Sequence, residues 1–341
     1  MEQAITELGL TQEQTRILFS YQYHLTLEDI MNETDVQKKN QKTKWMDRWK
    51  ESCEIFLKNQ TSEKISSNYK LLADYSSLKY EVTKISKDMK VKTPLYLILM
   101  ETTFFSPYYP LRGGKIKTLK TLKFSSPKKV RMKLDEFADS LKIDRGFIDR
   151  YNSSLKISLK GISGFWTKLL WGSLIGAIII AATGGFAAPA IGVLLAGGEL
   201  VGAAASLAGL AALGGGAIAT GGLGIAGGIA VVVGGGAILG AGAGAGIGSL
   251  LSASPDFAIT QAAKLEVVMK EITLNVQKDI RIAQELIKEQ RNAIRVLEDE
   301  LLELKKHQER NKGKISNLQK SIKYLRNAIE RNEKLFVEAI N

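Results

Sequence analysis

The sequence predicts a mainly α protein in three parts. A helical, basic N-terminal domain spans 1–160. A central Gly/Ala-rich segment of two to four membrane-inserting helices spans 161–254, and a long coiled-coil helix or helical hairpin spans 255–341. Three observations carry this. An apolar tract between Lys168 and Asp256 runs for 87 residues with one charge, Glu199, and holds 25 of the 32 glycines. A heptad repeat occupies the C-terminal part, and helix-start signals punctuate both flanks.

In the N-terminal part, Thr11-x-x-Gln14 is a capping-box pattern opening a helix that carries Ile17, Leu18 and Tyr21 on one face. Thr26-x-x-Asp29 resembles a second start. Residues 35–90 are lysine-rich and helix-compatible, and the stripe Trp45, Trp49, Ile55 and Phe56 reads as core. Thr93-Pro94 opens PLYLILMETTFF, too short to cross a bilayer and better suited to a buried helix or strand.

Residues 112–133 carry nine cations and no acid: Arg112, Lys115, Lys117, Lys120, Lys123, Lys128, Lys129, Arg131 and Lys133. Tyr108, Tyr109 and Phe124 are interleaved. Clustered cations with aromatics suit nucleic-acid phosphates and bases, or anionic lipid headgroups, where each nearby cation contributes about 1 kcal/mol. A solvated loop or hairpin is the plain alternative. Proximity to the apolar tract favours lipid, and a nucleic-acid partner is disfavoured. Ser126-Pro127 then reads as an N-cap with proline at the first helical position, so a helix runs from 127 towards the tract.

An apolar run of roughly 18 or more residues is long enough to span a bilayer, and this one is several times that. Glycine weakens a helix in water by about 1 kcal/mol relative to alanine, but in lipid the backbone must bond to itself and helix returns. Gly184-Gly185, Gly214-Gly215-Gly216 and Gly234-Gly235-Gly236 divide the tract into pieces at 169–183, 187–213, 217–233 and 237–251. Small residues recur every fourth position: Gly216, Thr220, Gly224, Gly228, then Gly236, Gly240, Gly244 and Gly248. That spacing allows close helix-on-helix packing in a membrane, although Gly/Ala richness alone also generates such registers. Glu199 is a candidate polar or lumen-facing group, or it marks a turn after Gly197-Gly198. Phe165, Trp166, Lys168 and Trp171 form an interfacial belt at the mouth of the tract.

Ser254-Pro255-Asp256 repeats the helix-start signal. Positions 280, 287, 294, 301, 315, 322, 329 and 336 are apolar, with Leu297, Leu304, Leu318 and Leu325 as companions. This is a seam that needs a partner helix. Gln308 and Asn311 interrupt it with one polar layer near Gly313. The unbroken phase favours a continuous helix over a hairpin turning at Lys312-Gly313-Lys314.

Lys+Arg number 47 against 35 Asp+Glu, a net charge of +12. The polar, acidic start MEQAITELGLTQEQ lacks the pattern of a secretory signal, and the single Cys53 permits no intrachain disulfide. Both favour cytoplasmic synthesis, with the chain membrane-associated or integral. His24 and His307 stand far apart, no phosphate-binding or nucleophile motif appears outside the glycine-rich tract, and Cys53 reads as a buried thiol. The sequence is therefore read as non-enzymatic, without cofactor or metal.

The order of segments over roughly 160–341 resembles the α-helical pore-forming proteins. The closest layouts are the haemolysin E and Bacillus tripartite enterotoxin type, with an apolar tongue between long helices, and the type III secretion translocators. The resemblance implies a hidden apolar segment that inserts and oligomerises, hence a homo-oligomer on anionic lipid. No functional residue is carried over. A missing signal fits an intracellular membrane-disrupting effector of self-killing phage defence. The expectation of another class is a non-permeabilising tether whose coiled coil recruits a partner protein.

Overall fold

A computed structural model describes residues 10–59, 69–88, 92–105, 107–108, 122–163 and 255–341. Among these residues the chain is helical, with no strand. The helices are α1 (Gln12–Met31), α2 (Val36–Asn59), α3 (Tyr75–Asp88), α4 (Thr93–Thr103), α5 (Pro127–Ser140) and α6 (Gly146–Ser163), followed after the tract by α7 (Pro255–Val267). A π-helical stretch (Val268–Gln277) continues α7, and α8 (Ile280–Lys305) and α9 (Gln308–Ile340) end the chain.

The capping box at Thr11 and Gln14 forms in full, each side chain accepting from the other residue's backbone N–H. Thr26 opens no helix: it lies inside α1, where its hydroxyl donates to the Gln22 carbonyl at 2.9 Å. Such a short hydroxyl satisfies itself within a helix as readily as at its start. Ser126 caps α5, with Pro127 in its first turn, as the sequence indicates. The expected single helix from 127 is two. α5 stops at Ser140, Lys142 takes a left-handed φ of 56°, and α6 begins at Gly146.

The short apolar segment is α4, and it is central. Leu97, Ile98, Leu99 and Met100 lie wholly out of contact with solvent. A helix apolar on every side has to be surrounded, and α4 packs against α1, α5, α6 and the π-helical stretch. Trp45 and Trp49 of α2 stack with ring centroids 5.8 Å apart in the same core. Cys53 is buried there, and burial pushes its thiol pKa up, as an inert structural thiol requires.

Residues 255–341 do not stand apart. α7 and α9 pack on α6, and buried side chains from Leu10 to Ile329 join one hydrophobic core. The heptad seam is what the end of the chain buries, with Leu297, Leu318 and Leu325 at 1% exposure or less. Its arms form a hairpin. Arg291 of α8 meets Glu333 of α9 at 2.6 Å and Glu298 meets Arg326 at 2.5 Å, so the two helices run antiparallel. The reversal falls at Lys306 and His307, not at Gly313, which lies within α9. The expected polar layer serves this turn: Asn311 donates its side-chain amide to the Leu304 carbonyl at 3.2 Å, the same carbonyl that accepts from the His307 backbone N–H at 3.3 Å.

Among the described residues no helix is long and apolar enough to cross a membrane. The uncharged tract lies outside them.

Candidate functional site

Two places follow from the sequence reading: the ends of the uncharged tract and the basic stretch. Of the expected site residues, Gly216, Gly224, Gly228, Gly236, Gly240, Gly244, Gly248 and Glu199 lie outside the described residues. So do Phe165, Trp166, Lys168 and Trp171, and the cations Arg112, Lys115, Lys117 and Lys120.

In sequence the tract connects α6 to α7, and these helices are antiparallel neighbours. Ser154 of α6 donates to Glu271 at 2.5 Å, while Gly161, two turns further along, sits by Arg331, which binds Glu266. Residue numbers rise along α6 as they fall along α7, so departure and return are at the same end of the bundle.

Four polar pairs hold α7 and the π-helical stretch in place. Lys264 Nζ donates to Glu101 of α4 at 2.6 Å, with both side chains at 0% exposure. Burial lowers the pKa of Lys264, and the charge of Glu101 opposes that shift. Arg331 of α9 forks onto Glu266, Nε to Oε2 at 2.8 Å and Nη2 to Oε1 at 2.6 Å, and this raises the arginine pKa. Ser154 pairs with Glu271 as above, and Gln277 donates to Thr93 Oγ1. In addition Asn327 of α9 donates to the Ile162 carbonyl at 2.9 Å, in the last turn of α6. The π winding spans ten residues, far more than the single turns in which it usually appears, and ends at Lys278 with φ 53°.

Little in the sequence pointed to these groups. Glu101 is the only charge in the apolar run of α4, and Lys264 the only one in ITQAAKL; a lone charge in an apolar helix has to be paired. Glu266, Arg331 and Asn327 look like ordinary charged-helix residues, and only the fold brings them together.

The basic stretch divides. Tyr108 and Ser125 flank its first half, and both attach to Asp29 of α1: Tyr108 through its hydroxyl, Ser125 through its backbone N–H. Asp29 and Lys42 of α2 form a buried pair at 2.6 Å, and Lys42 also reaches Ser125 Oγ at 2.7 Å and Glu33 at 3.0 Å. Burial alone would raise Glu33, but hydrogen bonds from Lys42, the Asp35 backbone and Ser125 outweigh it and hold the carboxyl at about 2. A charged knot thus ties both ends of the 109–121 segment to the α1–α2 pair.

Within α5 the cations differ in role. Arg131 is taken up by Asp135 at 2.9 Å and by a fork onto Asp149 of α6, which raises its pKa. Lys133 pairs with Glu136 at 2.7 Å and lies 4.2 Å from the Tyr75 ring centroid. Lys123, Lys128 and Lys129 are exposed. Lys128 and Lys129 share a face with Met132, which is 55% exposed, since positions three and four apart are neighbours on a helix.

Among the described residues no three His, Cys, Asp or Glu side chains are grouped to hold a metal ion. Comparison with protein-family models, curated proteins and solved structures finds no match.

Proposed function

We propose that this chain inserts its uncharged tract into an anionic membrane, self-associates there and permeabilises it. The observation that carries the reading is the placement of the tract. A run of 87 residues with one charge connects, in sequence, two antiparallel neighbours of a charged helical body whose core is built from both flanks. An insert of that kind can move without dismantling the body that carries it. In this reading the protein is made in the cytoplasm and acts on a membrane as a non-enzymatic effector. Gly216 to Gly248 give the small-residue face for assembly, Glu199 is the polar group within the bilayer, and Phe165, Trp166, Lys168 and Trp171 sit at its surface.

The face of Lys128, Lys129 and Met132, with Lys123 and the cations from Arg112 to Lys120, is the lipid-facing surface. Its first-turn lysines are placed against the helix dipole, which disfavours cations at an N-terminus by about 0.3–1 kcal/mol. Helix stability therefore does not account for them, and attraction to anionic headgroups does. Arg131 and Lys133, also among the expected headgroup cations, are engaged in ion pairs with Asp135, Asp149 and Glu136.

The second reading is a tether that associates with lipid without opening it and recruits a partner through α8 and α9. It is favoured by the exposed Leu302, Val337 and Ile340 along that hairpin. Dye release from vesicles by the full-length protein separates the two. Release that needs anionic lipid supports permeabilisation, whereas stable association without release supports the tether. The double substitution Gly240→Leu with Gly244→Leu fills the close-packed face and is expected to cut release several-fold. Unchanged release by that variant removes the assembly role of the glycines.

A further inference from the structure

The end of α6, the helix that precedes the tract, and the last turn of α7 are joined by a third helix at a single turn. Asn327 and Arg331 of α9 stand four residues apart on one face. The first holds the Ile162 carbonyl at 2.9 Å, in the last turn before the tract. The second reaches across Gly161 to fork onto Glu266 of α7 at 2.6 and 2.8 Å. The crossing depends on glycine: a Cβ at Gly161 would lie 2.1 Å from Arg331 Nη1. The guanidinium thus lies directly on the α6 backbone and binds α7 at the same time.

We propose that the Gly161–Arg331–Glu266 joint, with Asn327, is a latch that holds the end of α6 against the last turn of α7 and opens when the tract is deployed; this rests on the membrane-insertion reading above. Its chemistry suits opening. An ion pair partly withdrawn from water often gives no more stability than apolar packing of the same volume, so permanence alone does not account for this joint. Glu266 is 4% exposed but the Arg331 side chain is 30% exposed, so one partner already reaches water and can be rehydrated as the joint parts. A fork is also geometrically strict: it is made whole or lost, which gives a two-state contact rather than a graded one. The end of α6 and the last turn of α7 are released together, because α9 holds them from the same turn.

The test uses the full-length chain and four variants: Arg331→Ala, Arg331→Lys, Gly161→Ala, and the exchanged pair Arg331→Glu with Glu266→Arg. Backbone hydrogen exchange is followed without lipid over 255–267, with 93–103 as the internal reference, and dye release is followed from vesicles containing anionic phospholipid. Arg331→Ala is expected to speed exchange over 255–267 at least ten-fold relative to 93–103 and to speed release. Arg331→Lys, which keeps the charge but not the fork, and Gly161→Ala, which displaces the guanidinium while leaving both charges, are expected to move the same way by smaller factors. The exchanged pair should return towards wild type. Unaltered exchange over 255–267 in all three single variants overturns the latch, as does loss of protection over 255–267 and 93–103 together, which marks general unfolding. Faster local exchange with no release by any variant, wild type included, upholds the joint as the tie between α6 and α7 and overturns the membrane reading instead.

Discussion

His24 shows at the scale of one residue how burial turns a common side chain into a pH-dependent one. It is 6% exposed, its Nε2 lies 2.9 Å from the Leu72 carbonyl, and burial lowers its pKa below the ordinary 6.5, with Lys133 adding to the shift. The neutral ring donates to that carbonyl. Below 6.5 the unfolded chain takes up a proton that the folded chain resists, so stability falls as pH drops through that value and is retained above it. Glu33, held at about 2, and Asp74, Asp139 and Asp149, all lowered by hydrogen bonds, give a term of the same sign in a more acidic window. Their contribution is present above the usual carboxylate range and lost only as pH falls through and below it. The two windows therefore separate. Urea midpoints measured at pH 7.5 and 5.5 should fall for the wild type and stay nearly level for His24→Gln, which keeps a donor for Leu72. An equal fall in both proteins would assign the window to another group. Nothing near His24 in sequence signals this, because Leu72 lies 48 residues away. The same holds for Lys42 and its partners. A lysine in a lysine-rich helix gives no sign of being the buried one until α1 and α2 are placed side by side.

At the scale of elements, the sequence was most legible where one local rule governs. Capping residues marked the starts of α1 and α5, and the run PLYLILMETT marked a buried helix or strand, which the structure shows to be a helix. It was least legible where the chain turns back. A heptad seam keeps its phase through the reversal at Lys306 and His307 because both arms of a hairpin bury the same seam, so periodicity cannot tell a hairpin from one long helix. The π winding of 268–277 is equally hidden, since an extra residue per turn leaves no mark in composition. The exposed lysines of α5 lead to a prediction in which two effects have opposite signs. Lys128→Glu with Lys129→Glu places acids in a first turn that has none, and each should stabilise the helix by about 0.3–1 kcal/mol. The same change removes two cations from the exposed face and is expected to weaken binding to anionic vesicles at least ten-fold, at about 1 kcal/mol per cation near the surface. Co-sedimentation with anionic and neutral vesicles, beside a thermal melt, reads both. Weaker binding with an unchanged or higher melting temperature assigns the face to lipid, while full binding removes α5 from the lipid-facing surface.

Across the whole molecule, the governing fact is that α6 and α7 leave and re-enter the body at one end, as antiparallel neighbours. Each flank alone lacks part of the core. α4 is covered on one side by the π-helical stretch, which belongs to the C-terminal flank, and Glu101 needs Lys264 from the same flank. The divisions at 160 and 254 thus mark where the chain enters and leaves the tract, while the packed core draws on both sides of it. Composition shows the tract because charge vanishes along it; it cannot show which outer helices meet, because that is decided by side chains some hundred residues apart, such as Ser154 and Glu271. Replacing 164–254 with a Gly/Ser linker of roughly 12 residues, whose mean span of about 19 Å can bridge neighbouring helices, should therefore leave a folded body. That variant is expected to unfold in one cooperative transition, with the hydrogen-exchange protection of α4 and α7 preserved, and to release no dye from vesicles. A melted body would mean that the tract supplies part of the core and is not free to leave it. A folded body that still releases dye would move the membrane activity from the tract to the basic surface of the helices that carry it.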